Sequence, residues 1–179
     1  KSTGIPMAGV ALKIKNKDPQ TGEGEIIATS PSVMMGYYKD EAKTAEVMED
    51  GWFLTGDLGY IDDEGYLFIR GRSKNMLLGP GGENIYPEQI EAVINQNKLV
   101  LDSLVMQDKN AKLIAKIHPN YEVLDINDKE KIASTLEEMR QEVNAQLSSF
   151  SKLMKFVEQE EEFIKTPTKK IKRFLYVDK

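Results

Sequence analysis

Residues 76–94 read Met76-Leu77-Leu78-Gly79-Pro80-Gly81-Gly82-Glu83-Asn84-Ile85-Tyr86-Pro87-Glu88-Gln89-Ile90-Glu91-Ala92-Val93-Ile94. A short apolar run, a glycine-proline turn and a proline-led helix follow one another here. Proline suits the first helical turn because its missing N–H has no partner there and its φ is already helical. The glycine-rich stretch is not followed by Lys-Ser or Lys-Thr, so it is not a Walker phosphate loop, and by itself it reads as a turn. At this stretch the chain changes from mostly strands to a mixture of strands and helices.

Upstream, Val10-Ala11-Leu12-Lys13-Ile14 and Glu25-Ile26-Ile27-Ala28-Thr29 flank the turn sequence Thr21-Gly22-Glu23-Gly24, which predicts a hairpin. Lys43 to Met48 suits a short helix stopped by Asp50-Gly51. Trp52 to Leu54, Leu58 to Ile61 and Tyr66 to Ile69 are β-prone, the last two separated by Asp62-Asp63-Glu64-Gly65. These residues offer few positions for a core of their own, as expected if they complete a sheet begun further upstream. The opening from Lys1, without a start methionine, is likewise expected of a chain cut from something longer.

Downstream, Val100 to Met106 and Lys112 to Ile117 read as strands. Asn127 with Glu130 resembles a helix cap pair, and Ile132, Leu136, Met139, Val143 and Leu147 follow at helical spacing. Glu137, Glu138, Arg140 and Glu142 fall largely on the other side, as on a helix lying over a sheet. The expected fold class is therefore α+β. Residues 1–71 are expected to complete a β-rich sheet begun upstream, 72–75 to link, and 76–179 to form a small domain with helices packed on a small sheet.

Composition narrows the chemistry. Cysteine is absent from the 179 residues, which excludes disulfides, thiolate metal sites and a cysteine nucleophile, and fits a cytoplasmic location. With one histidine there is no His cluster and no metal ligand set is expected; His118 reads as a surface residue at a strand end. No apolar run reaches the roughly 20 residues that span a bilayer. A net charge of −5 argues against nucleic acid as a partner. The sign inverts near the end, where Lys165, Lys169, Lys170, Lys172 and Arg173 follow the acidic run Glu158 to Glu162. Such a basic tail leaves open a non-enzymatic domain that binds anionic partners, including peripheral contact with a membrane.

Four stretches stand in a definite order. They are Trp52-Phe53-Leu54-Thr55-Gly56-Asp57-Leu58-Gly59; Asp63-Glu64-Gly65-Tyr66-Leu67-Phe68-Ile69-Arg70-Gly71-Arg72; Gly81-Gly82-Glu83-Asn84-Ile85-Tyr86-Pro87-Glu88-Gln89-Ile90-Glu91; and Pro167-Thr168 with Lys170-Ile171-Lys172-Arg173. Together they closely resemble the adenylate-forming superfamily of acyl-coenzyme A synthetases, luciferases and peptide-synthetase adenylation domains. The resemblance spans essentially the whole chain, and the family keeps its phosphate loop and acyl pocket further upstream. Val33-Met34-Met35-Gly36-Tyr37-Tyr38 and the segment Phe163 to Arg173 look most like long-chain fatty acyl-coenzyme A ligases.

That resemblance implies ATP-dependent activation of a fatty acid or other carboxylate to an acyl adenylate, then transfer to coenzyme A with release of AMP and pyrophosphate. Transfer to a carrier-protein thiol is the alternative. ATP, Mg2+ and coenzyme A are the implied substrates and cosubstrates, and the upstream domain of the same protein the implied partner; these 179 residues alone are expected to be inactive. The family's ribose-binding aspartate corresponds to Asp57 and its nucleotide-contacting arginine to Arg72, with a brace across the interdomain turn as the alternative for Arg72. Lys74 corresponds to the pivot of domain rotation, with Asn75 where an acidic residue is often found. Gly81, Gly82 and Glu83 correspond to the channel for the pantetheine arm, and Lys170 to the adenylation lysine. The family usually has glycine just before that lysine, whereas this chain has Lys169.

Overall fold

A computed structural model of the chain describes residues 2–124 and 128–177. The chain divides into two compact units, Lys1–Asn75 and Met76–Lys179.

In the first unit, β1 (Ala11–Lys15) and β2 (Gly24–Thr29) form the expected antiparallel hairpin. Asp18 organises its turn by accepting from the N–H groups of Gln20 and Thr21, each at 2.8 Å. Helix α1 (Glu41–Val47) starts earlier than the sequence suggests, because Asp40 caps it through the Lys43 N–H. Met48 lies outside that helix, in β3 (Met48–Glu49), which pairs with β4 (Trp52–Ile61). Asp50 and Gly51 between them have φ of 47° and 79°, the left-handed backbone that a tight hairpin needs. The stretches around Trp52 and Ile61, read separately in the sequence, are one strand. With β5 (Leu67–Arg72) on the other part of β4, these strands make a five-stranded sheet among the described residues. Its hydrophobic interior is thin: in this unit Ile26 and Ile27 are the apolar side chains counted as buried among the described residues.

The second unit holds the core. Strands β6 (Leu77–Leu78) and β7 (Asn84–Ile85) close the glycine turn into a small hairpin, and Pro87 opens α2 (Pro87–Ile94) as expected. Strands β8 (Val100–Gln107) and β9 (Leu113–Pro119) pair antiparallel, and helix α3 (Lys129–Gln146) buries Ile132, Leu136, Met139 and Val143. Asn127 lies outside the described residues; the cap is Asp128, whose side chain accepts from the Lys131 N–H at 3.0 Å. Leu147 closes the helix as its cap residue. Helix α2 packs on β8, and α3 packs against β10 (Lys155–Glu158), which lies parallel to β9 in the sheet order β10-β9-β8.

Strand β10 has no clear sequence signal, and it corrects the reading of His118. That residue does close a strand, but it is 5% exposed, with Nδ1 2.9 Å from the Gln159 carbonyl and its ring edge-on to Tyr121. The chain leaving β10 runs alongside the end of β9, with the Gln159 N–H donating to Ile117, and covers the histidine. Asn144 holds the approach to β10: its side chain donates to the Leu153 carbonyl at 2.9 Å and accepts from the Leu153 N–H at 2.8 Å.

Candidate active site

Thr55-Gly56-Asp57 interrupts the β2–β4 ladder. Glu25 pairs with Leu58 and Ile27 with Leu54, so three residues of β4 stand opposite Ile26 alone. The bulge is possible because Gly56 takes a φ of 70°, where a side chain is disfavoured. Thr55 Oγ1 donates to the Ile26 carbonyl at 2.6 Å and accepts from the Asp57 N–H at 3.0 Å; Glu25 accepts from the Gly56 N–H at 3.1 Å. Asp57 is thus held at a fixed kink. Arg72, directly across the β4–β5 register, meets it: Nε lies 2.8 Å from Asp57 Oδ1, and a second guanidinium nitrogen donates to the Thr55 carbonyl at 3.3 Å. The two implied nucleotide residues therefore contact each other. A carboxylate accepts several hydrogen bonds, so Arg72 leaves Asp57 acceptor capacity for a pair of hydroxyls. Lys74 is exposed in the 3-10 turn Ser73–Asn75 that follows.

In the second unit, the glycine turn folds around Glu83. Its carboxylate accepts from the Gly81 N–H at 2.9 Å, while its carbonyl accepts from the Gly79 N–H at 2.8 Å. A Cβ on Gly81 would sit 2.5 Å from that carboxylate, so a side chain there would make Glu83 shift from this position. Gly82, at φ 85°, faces open space. Gly81 and Gly82 are exposed and Glu83 is half-buried beside them, the three forming one side-chain-poor lip.

Lys170 stands on a hairpin closed by a bridge between Lys165 and Ile171. Thr166 organises the turn: its N–H donates to the Lys170 carbonyl at 2.8 Å, its carbonyl accepts from the Lys169 N–H at 2.9 Å, and its Oγ1 accepts from the Lys170 N–H at 3.1 Å. The backbone of the turn is tied down and Lys170 is exposed to solvent. Lys169 has a φ of 61°. The family's usual glycine at this position has a physical reason, since the turn demands a left-handed residue. Lys169→Gly is expected to leave stability unchanged or raise it by up to about 1 kcal/mol, whereas β-branched Lys169→Val costs about 1–2 kcal/mol. Urea unfolding of the chain measures both; equal midpoints for the two variants would contradict a left-handed Lys169.

Sequence reading did not find the residues that hold this hairpin. Phe163 is buried and packs edge-on against Tyr176, whose hydroxyl accepts from the Ile164 N–H at 2.7 Å. Lys165 Nζ lies 2.5 Å from Asp102 on β8. Arg173 pairs with Glu91 on α2 and donates to the Val105 carbonyl at 3.2 Å. Glu91 is 12% exposed, and burial is the largest influence on its carboxyl, raising it above the ordinary glutamate range against the opposing pull of Arg173. One signal was available: Glu91 lies on the helical face of Pro87 and Ile94, both buried, so a charge there needs a partner.

The mixed α+β fold matches that of the C-terminal domain of adenylate-forming enzymes. The family model for the AMP-binding enzyme C-terminal domain matches residues 75–178, more than half of the chain, and the chain belongs to that family. It is 44% identical over 108 residues to the 2-succinylbenzoate–CoA ligase of Bacillus cytotoxicus, covering 59% of this chain and 22% of that protein. To the same-named ligase of Bacillus licheniformis it is 39% identical over 144 residues, 74% of this chain and 30% of that protein. Among solved structures, O-succinylbenzoate coenzyme A synthetase from Bacillus subtilis, in complex with ATP and magnesium ion, superposes with a TM-score of 0.78 at 28% identity. That match covers 97% of this chain and 35% of the other. The chain thus spans less than a third of the length of these two curated relatives.

Proposed function

We propose that the full-length protein is an acid–thiol ligase that converts a carboxylic acid to its acyl adenylate with ATP and then to the coenzyme A thioester. The observation that carries this reading is the Lys170 hairpin in a chain of this family: an exposed ammonium on a hydrogen-bonded turn. Adenylation brings an anionic carboxylate onto an anionic α-phosphate, and a positioned ammonium lowers that repulsion in the transition state. Asp57 accepts from the ribose hydroxyls through its remaining lone pairs while Arg72 keeps it oriented. Mg2+ would accompany ATP and screen its phosphates. After adenylation, rotation about Lys74 would withdraw Lys170 and bring the lip of Gly81, Gly82 and Glu83 to the pantetheine arm.

The substrate is drawn from two readings. The Val33–Tyr38 and Phe163–Arg173 stretches favour a long-chain fatty acid, while the names of the relatives favour an aromatic dicarboxylate such as 2-succinylbenzoate. Acid-dependent ATP/pyrophosphate exchange by the full-length protein, across fatty acids of graded length and 2-succinylbenzoate, separates them. Exchange with none of these acids would count against ligase chemistry of either kind. A carrier-protein thiol as acceptor would appear as loss of adenylate without formation of free acyl-coenzyme A.

A further inference from the structure

We propose that Lys165 and Arg173 are positioning residues for Lys170, clamping the two feet of its hairpin onto the edge strand β8. The inference rests on the adenylation role of Lys170 given above. β8 lies at the end of the sheet order, so among the described residues its outer backbone groups have no neighbouring strand. At Val105 a pair of side chains takes that place: Glu91 accepts from the Val105 N–H at 2.7 Å and Arg173 donates to its carbonyl at 3.2 Å. Arg173 also pairs with Glu91, so the foot of the hairpin after Lys170 is tied to α2 and β8 together. The foot before Lys170 is tied to the same strand by Lys165 and Asp102, 2.5 Å apart. Between these ties the bridge of Lys165 with Ile171 closes the hairpin. The turn carrying Lys170 therefore projects from β8 on two anchored legs.

The Lys165 foot acts through geometry more than through stability. Lys165 and Asp102 keep 33% and 23% of their side-chain surface exposed, a setting in which an ion pair contributes little to folding. Displacing a reacting group by about 1 Å, however, can lower a rate on the order of 100-fold. A loose foot would let Lys170 sample positions in which its ammonium does not meet the developing charge.

The test uses the full-length protein. Lys165→Met is expected to lower kcat for acid-dependent ATP/pyrophosphate exchange by about 10- to 100-fold, with KM for ATP little changed. Its thermal midpoint should stay within about 3 °C of the parent. Transfer to coenzyme A from supplied acyl adenylate should be retained, and Lys165→Arg, which keeps the ion pair, should restore exchange. Arg173→Lys, which keeps the charge but loses the forked contact with Glu91 and Val105, should show the same selective loss. Added to Lys170→Ala, Lys165→Met should cause no further loss of exchange. If Lys170→Ala cripples exchange but Lys165→Met does not, or if the Lys165→Met loss persists in full on top of Lys170→Ala, the clamp is refuted and the role of Lys170 stands. If Lys170→Ala leaves exchange intact, the role of Lys170 falls first and the clamp with it.

Discussion

Replacing Lys170 with alanine in the full-length protein is expected to lower acid-dependent ATP/pyrophosphate exchange by about 100- to 1000-fold, while transfer from supplied acyl adenylate to coenzyme A is largely retained. The asymmetry follows from charge. Two anionic groups converge in the adenylation transition state, whereas in the thioester step the thiol attacks the uncharged carbonyl carbon of a mixed anhydride whose phosphate bears a single negative charge, and AMP leaves. An ammonium held on a hydrogen-bonded turn with an exposed tip helps the first step far more. Because Lys170 is exposed, alanine removes no packed atoms, so the loss should not be accompanied by unfolding. Lys170→Arg is not expected to rescue it, since the guanidinium is larger and planar and places its charge elsewhere. Equal loss of both half-reactions would remove Lys170 from the role given to it.

Arg173→Ala should produce the largest stability loss of the substitutions considered, about 3 kcal/mol, because it leaves the Glu91 carboxylate buried without its partner. Arg173 and Glu91 are 20% and 12% exposed, which places the cost toward the lower end for a broken buried pair. The loss should depend on pH. Burial raises the Glu91 carboxyl above its ordinary value of 4.5, so the folded chain holds that proton more tightly than the unfolded chain does. Stability linked to this group is full below 4.5 and is lost as pH rises through the folded value. Removing Arg173 deletes an opposing influence and moves the folded value further up. The deficit of Arg173→Ala relative to the parent should therefore be widest at neutral pH and narrow as pH falls toward 4.5, in urea unfolding of the chain. Glu91→Gln added to Arg173→Ala should recover much of the loss, since an amide tolerates burial better than a carboxylate. A deficit independent of pH would attribute the cost to packing.

Much of the local structure was legible because its causes are local. The turn sequence Thr21 to Gly24 lies between the paired strands β1 and β2, Pro87 opens α2, and the stripe from Ile132 to Val143 is the buried face of α3. The misreadings share one origin. The sequence reads His118 as a surface residue because β10, which leads into the chain that covers it, is short and pairs with a parallel strand distant in sequence. The Met48 helix end and the split of β4 likewise depended on pairings the neighbouring residues do not encode.

At the candidate site the division is sharper. The sequence pointed to Asp57, Arg72, Lys74, Gly81 to Glu83 and Lys170 through its resemblance to the adenylate-forming superfamily, which rests on four stretches in a fixed order. It also held the anomaly of Lys169, whose meaning emerged only when the turn proved to require a φ of 61°. Only the tertiary structure decided that Arg72 faces Asp57, that Glu83 folds back over Gly81, and that Lys165 and Arg173 anchor the lysine hairpin to Asp102 and Glu91. Backbone preference is set by adjacent residues. The partner of a charge is set by which distant segment the fold lays beside it.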